Sequence, residues 1–148
     1  FVKNESEKDG HTARDGYGGH TMFMGDAQVR IDGVEFSALG ISGEMGRYPV
    51  HFHFMTDAAD SYIENVSIHH TFQRGIVVHQ TNDLRLEGNV VYDTIGHAYY
   101  VEDGVEQGNS FLGNLAMMPR NVPPENRLSM TTGTDRFPEQ ASGFWTTT

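Results

Sequence analysis

The amino-acid sequence predicts an all-β chain wound as a parallel β-helix, and two columns of recurring residues carry that prediction. In the first, Pro49-Val50-His51-Phe52-His53 aligns with Gly75-Ile76-Val77-Val78-His79 and then with Ala98-Tyr99-Tyr100-Val101-Glu102. Its last position reads His53, His79, Glu102, at offsets of 26 and 23 residues. In the second, a turn-former opens Gly33-Val34-Glu35-Phe36, Asn65-Val66-Ser67-Ile68, Asn89-Val90-Val91-Tyr92 and Asn114-Leu115-Ala116-Met117. A repeat of that length, made of strand-like pieces without helical periodicity, corresponds to one solenoid coil.

Taken in order, residues 1–19 are polar and glycine-rich, with turn signals at Asp9-Gly10 and Asp15-Gly16, and predict an irregular N-terminal segment. Parallel coils are expected over 20–118, interrupted by loops around Ser42-Gly43-Glu44-Met45-Gly46 and Asp57-Ala58-Ala59-Asp60. Alternation along the strands turns Val50, Phe52, Ile76, Val78, Tyr99 and Val101 inward. It turns His51, His53, His79, Tyr100 and Glu102 outward. Asn65, Asn89 and Asn114 are expected to stack as an amide ladder at one turn, which would bury Asn65. From Pro119 the alternation stops, and Pro119, Pro123, Pro124 and Pro138 prevent regular pairing, so 119–142 reads as a long loop excursion. Gly143-Phe144-Trp145-Thr146 then starts a further coil over 143–148. A stack this short exposes both ends, so the chain reads as a piece of a longer polypeptide whose remaining coils and domains cap it.

At 148 residues the chain is the size of one domain. Its formal charge is −10, with Lys3 and Lys8 the only lysines, which argues against a nucleic-acid partner that needs clustered basic surface. An anionic sugar would have to be held locally, by Arg47, Arg74 or Arg85, or through a bridging cation. There is no cysteine, so disulfides and thiolate chemistry are absent. Asn4-Glu5-Ser6 and Asn65-Val66-Ser67 match the glycosylation sequon.

Residues at equivalent positions of neighbouring coils lie about 4.8 Å apart, the spacing of paired strands. At that spacing His51, His53, His79 and Glu102 can grip one divalent metal, Zn²⁺ or Ca²⁺. Without a metal, His79 and Glu102 are the candidate catalytic pair for proton transfer. A polar stack that pairs only within itself is the third reading. Arg74, Tyr100 and His97 flank the column and are the candidate substrate contacts. His69 is expected to face Asp93 one coil away, Asp103 to turn away from the column with Gly104, and His20 to be structural.

The runs Gly46-Arg47-Tyr48-Pro49-Val50-His51-Phe52-His53, Ser67-Ile68-His69-His70-Thr71-Phe72 and Gly96-His97, followed by Glu102-Asp103-Gly104 and Glu106, together resemble a known family. It is the β-helix region of the cell-migration-inducing hyaluronan-binding and fibrocystin-like proteins. The resemblance runs from about Gly18 to Trp145, with Gln80 standing where a Gly is usual. It implies a right-handed parallel β-helix, a pectin-lyase-like solenoid. It further implies a polysaccharide-binding or -depolymerising protein, hyaluronidase-like, acting as a hydrolase or lyase if it is an enzyme. The other branch implies a non-catalytic surface, filament or receptor module of fibrocystin-like type. Either way the expected partner is a polysaccharide or glycan-rich surface, and the expected location is extracellular or at the cell surface, periplasmic or secreted in a bacterium.

Overall fold

The computed structural model of the chain describes residues 2–3, 16–123 and 140–147. Among them there are short β-strands and no helix. In chain order these are β1 (Val2–Lys3), β2 (Phe23–Met24), β3 (Arg30–Asp32), β4 (Glu35–Ser37) and β5 (Val50–His53). There follow β6 (Tyr62–Glu64), β7 (Ser67–His69), β8 (Ile76–His79), β9 (Arg85–Glu87) and β10 (Val90–Tyr92). The last four are β11 (Tyr99–Val101), β12 (Ser110–Leu112), β13 (Leu115–Met117) and β14 (Phe144–Thr146).

The strands form three parallel sheets, ordered β1-β4-β7-β10-β13, β2-β5-β8-β11-β14 and β3-β6-β9-β12. Each sheet takes one strand per coil, so β3-β4-β5, β6-β7-β8, β9-β10-β11 and β12-β13-β14 are four successive turns of a β-solenoid. Val50, Phe52, Ile76, Val78 and Tyr99 are all at most 1% exposed and meet Ile63, Ile68, Leu86 and Val91 from the other two sheets. Val101 packs against the same core from a half-buried position. The Tyr99 hydroxyl donates to Asn89 O at 3.0 Å, which satisfies the one polar atom this ring carries inside.

Each coil bends at residues in the left-handed region. Gly33, Asn65, Gly88 and Gly113 take it at the first corner, and Ala38, His70, Asp93 and Met118 at the second. Phe54 and Gln80 take it where the chain leaves β5 and β8. Gln80 has a φ of 45°, which is the physical reason a glycine suits that position. Gly75 is needed for a different reason: a Cβ there would meet Ala98 O at 2.5 Å and Val91 Cγ1 at 2.7 Å.

Two sequence expectations need correction. The amide ladder contains Asn89 and Asn114 but not Asn65. Val90 pairs with Ser67, so Asn89 lies opposite Val66 and Asn65 lies opposite Gly88. Asn89 Nδ2 donates to Ile63 O and Asn114 Oδ1, and its Oδ1 accepts from Val66 N, whereas exposed Asn65 donates to Asp32 Oδ1. Val2–Lys3, expected to be irregular, adds a strand beside β4. Strand β14 resumes the solenoid by pairing in parallel with β11. Most of the expected excursion, 124–139, lies outside the described residues, as does Asn4.

Candidate functional site

The outer face of the β5-β8-β11 sheet carries the site. Strands β5 and β8 pair with His53 opposite His79, and the Glu102 amide donates to Val78 O as the chain leaves β11. The register therefore stacks His53, His79 and Glu102 over three coils. His53 Nδ1 and His79 Nδ1 are 2.9 Å apart, and His79 Nδ1 is 3.8 Å from Glu102 Oε2. On the other side of the His79 ring, Nε2 meets Asp103 Oδ2 at 3.0 Å. Gln80 Nε2 donates to the same Asp103 oxygen at 2.8 Å, while the Gln80 and Asp103 amides both donate to Glu106 Oε1. Phe54 packs against the His53 and His79 rings, with centroids 4.3 and 4.8 Å away.

His51 lies two residues before His53 on the same strand face. Its ring centroid is 4.8 Å from that of His53, and its ring is parallel to that of His79. It is nonetheless 2% exposed, because Tyr48 covers it edge-on and the Gly46-Arg47-Tyr48 segment folds over it. His51 Nδ1 lies 3.2 Å from Gly46 O, so the proton sits on Nδ1 and Nε2 carries a lone pair. Nε2 is buried without a hydrogen-bond partner.

Burial governs the electrostatics. It lowers the His51 pKa to about 3, helped by the neighbouring His53 and opposed by the Gly46 carbonyl. Burial and then His79 lower His53, against a smaller upward pull from Asp103. Glu102 moves the other way: burial raises it, His79 and Arg74 oppose, and Asp103 and Glu106 push it up further. The face thus favours neutral His51 and His53 and a carboxyl that keeps its proton to higher pH than a free glutamate. Three imidazole donors, His51, His53 and His79, have ligand atoms within 4.8 Å of one another, and Glu102 touches the third.

Residues 16–148 match the family described as CEMIP beta-helix. The chain belongs to this family. It is 38% identical over 134 residues to a protein named cell surface hyaluronidase from Danio rerio, covering 82% of this chain and 10% of that protein. It is 37% identical over 129 residues to the protein named cell surface hyaluronidase CEMIP2 from Homo sapiens, covering 80% of this chain and 9% of the relative. To fibrocystin-L from Mus musculus it is 42% identical over 89 residues, 60% of this chain and 2% of that one. The chain thus spans about a tenth or less of the length of these relatives.

Within this CEMIP β-helix, the flanking residues sit deeper than sequence alternation places them. Arg74 is 2% exposed, with its guanidinium carbon 3.9 Å from the Tyr100 ring centroid and Nη1 donating to Tyr48 Oη. His97 is fully buried, parallel to Tyr100 at 5.2 Å and 4.9 Å from Trp145. Tyr100 itself is 8% exposed. All three therefore back the site and do not rim it. Arg85 is exposed but held by Glu64 and Glu87 on a different sheet, and Arg47 is exposed as well. Arg47 Nη1 meets His20 Nε2 at 2.8 Å in a cleft of about 330 Å³ lined also by Tyr17, Ile41 and Glu44.

Two more expectations are overturned. Asp103 does not turn away but holds His79, because alternation ends with β11 at Val101 and the chain bends at Gly104. His69 faces Tyr92 in register and bonds Glu35 at 2.7 Å, and it is His70 whose Nε2 lies 3.8 Å from Asp93. The signal that could have found Asp103 is the packed run Glu102-Asp103-Gly104-Val105-Glu106, which puts three carboxylates within five residues at a coil corner.

Proposed function

We propose that this chain is the β-helix module of an extracellular or cell-surface protein that binds or depolymerises a hyaluronan-type polysaccharide. The observation that carries the reading is the stack of His53, His79 and Glu102 on one outer face, with Asp103 behind His79. Two relatives named cell surface hyaluronidase support the substrate class. A solenoid face suits a long polymer, since successive sugars can follow successive coils. Glu102, with its raised pKa, is the proton donor to a departing glycosidic oxygen. His79 accepts a proton on the same face, and Asp103 at 3.0 Å fixes the ring and stabilises the imidazolium that forms.

The test is chain-length analysis of hyaluronan incubated with the full-length polypeptide. Glu102→Gln lowers turnover by about 100-fold or more, the usual contribution of a proton-transferring group, and Glu87→Gln leaves it unchanged. Equal rates for the two variants would reject the site. A second reading, a non-catalytic surface module, is favoured by the depth of the face and by the identity to fibrocystin-L. Under it, folded full-length protein neither binds nor cleaves the polymer.

A further inference from the structure

The geometry points to a transition-metal site of the zinc class at His51, His53 and His79, a property that does not depend on the polysaccharide reading. The donor set comes first. Three imidazoles select zinc and its neighbours, whereas Ca²⁺ takes oxygen ligands, so of the two metals the spacing allows, the nitrogen donors choose the former. The shortest separation fits as well. Two nitrogens bound to one zinc at about 2.0–2.1 Å stand roughly 3.3 Å apart in a tetrahedron and closer at a smaller angle. His53 Nδ1 and His79 Nδ1 stand 2.9 Å apart. Two lone pairs at that distance need a proton or a cation between them.

The nitrogens turned away from the cluster are held as metal-binding histidines hold them. His51 Nδ1 donates to Gly46 O, and His79 Nε2 is paired with Asp103 Oδ2 at 3.0 Å. Each contact fixes a ring and its tautomer, leaving His51 Nε2 and His79 Nδ1 as donors. His51 Nε2 is the second, independent observation: it is buried, in a residue 2% exposed, and has no hydrogen-bond partner. A buried polar atom left so is costly, and a metal ion satisfies it. Glu102, 3.8 Å from the same His79 Nδ1, stands where it can complete the coordination or take a proton from a metal-bound water.

The experiment loads the full-length polypeptide with Zn²⁺ alone after chelator treatment and counts bound metal by elemental analysis. His53→Gln, His79→Gln and a His69→Gln control are measured beside it. One equivalent of zinc is lost in the first two variants and kept in the control. Asp103→Asn, which removes only the outer contact, weakens zinc binding about 10–100-fold. Co²⁺ substituted into the unaltered protein reports the ligands directly, through visible absorption typical of a nitrogen-rich site, and requires no variant to fold. Identical zinc stoichiometry in all proteins, together with no Co²⁺ band, would overturn the site. Zinc uptake with no action on hyaluronan keeps the metal site and removes the function proposed above, and hyaluronan turnover in a protein that binds no zinc does the reverse.

Discussion

His51 is the residue whose environment has the largest thermodynamic reach. Its imidazole is neutral when folded, with a pKa of about 3, and returns to an ordinary value near 6.5 when the chain unfolds. Below the unfolded value the unfolded chain binds the extra proton, so stability falls as pH drops from about 6.5 towards 3. With metal removed by chelator, urea unfolding is expected to show a loss on the order of 2 kcal/mol from this residue between pH 7.5 and 5. Glu102 has the opposite sign: its raised pKa contributes stability at low pH that is lost as pH rises through the folded value. His51→Gln should flatten the acid side of the profile, and an unchanged profile would show that burial is not what depresses the imidazole. The histidine and glutamate column was legible because a paired strand brings equivalent residues to strand spacing. Asp103 was not, because alternation assigns a face only while the strand lasts, and β11 stops at Val101. The burial of Arg74 and His97 was hidden for a related reason. It depends on how the segments before each strand fold back over its outer face, which no period of two describes.

At the level of the coil corner, two asparagines that look alike in sequence do different work. Asn89 is fully buried and bonds Val66 N, Ile63 O and Asn114, so Asn89→Ala strands at least two buried backbone groups. At about 1–3 kcal/mol for each orphaned group, the expected loss is roughly 2–6 kcal/mol. Asn65 is exposed, has a φ of 52°, and its side-chain amide donates only to the Asp32 side chain, so Asn65→Gly should change stability by less than about 1 kcal/mol. Thermal unfolding of the two variants separates the cases, and comparable losses would contradict the ladder as described. The existence of a ladder was readable from the repeat. Its membership was not, because Gly88-Asn89 and Gly113-Asn114 supply the left-handed residue and the ladder residue separately, whereas in the second coil Asn65 takes the glycine's place. A one-residue slip in alignment is invisible to a pattern of turn-former and alternating apolar residues, yet it moves an amide from the interior to the surface.

Across the whole molecule, the last coil presents Leu112, Leu115, Phe144 and Trp145 to solvent at 42–53% exposure, along strands with no further neighbour among the described residues. Unpaired strand edges bearing apolar side chains are templates for another chain. Residues 1–148 produced alone are expected to self-associate in light scattering at micromolar concentration, and Leu112→Lys with Leu115→Lys to reduce it; a monodisperse monomer would show the edge to be inert. The charge of −10 has a consequence for binding too. Repulsion slows the approach of an anionic polymer, so raising salt from about 0.01 to 0.15 M should leave hyaluronan affinity unchanged or improve it. A steep loss with salt would place the contact on a basic surface outside this chain. A last property follows from the stack in which Arg74 covers Tyr100, Tyr100 lies against His97, and His97 meets Trp145. These side chains come from the second, third and fourth coils, and they join them outside the backbone ladders. Under a mechanical load along the axis, ladders alone would peel one coil at a time, but this stack makes three coils share the force. Under such a load the described coils would yield in one large step, visible as a single rupture peak that splits into smaller ones when Tyr100 is replaced by Ala.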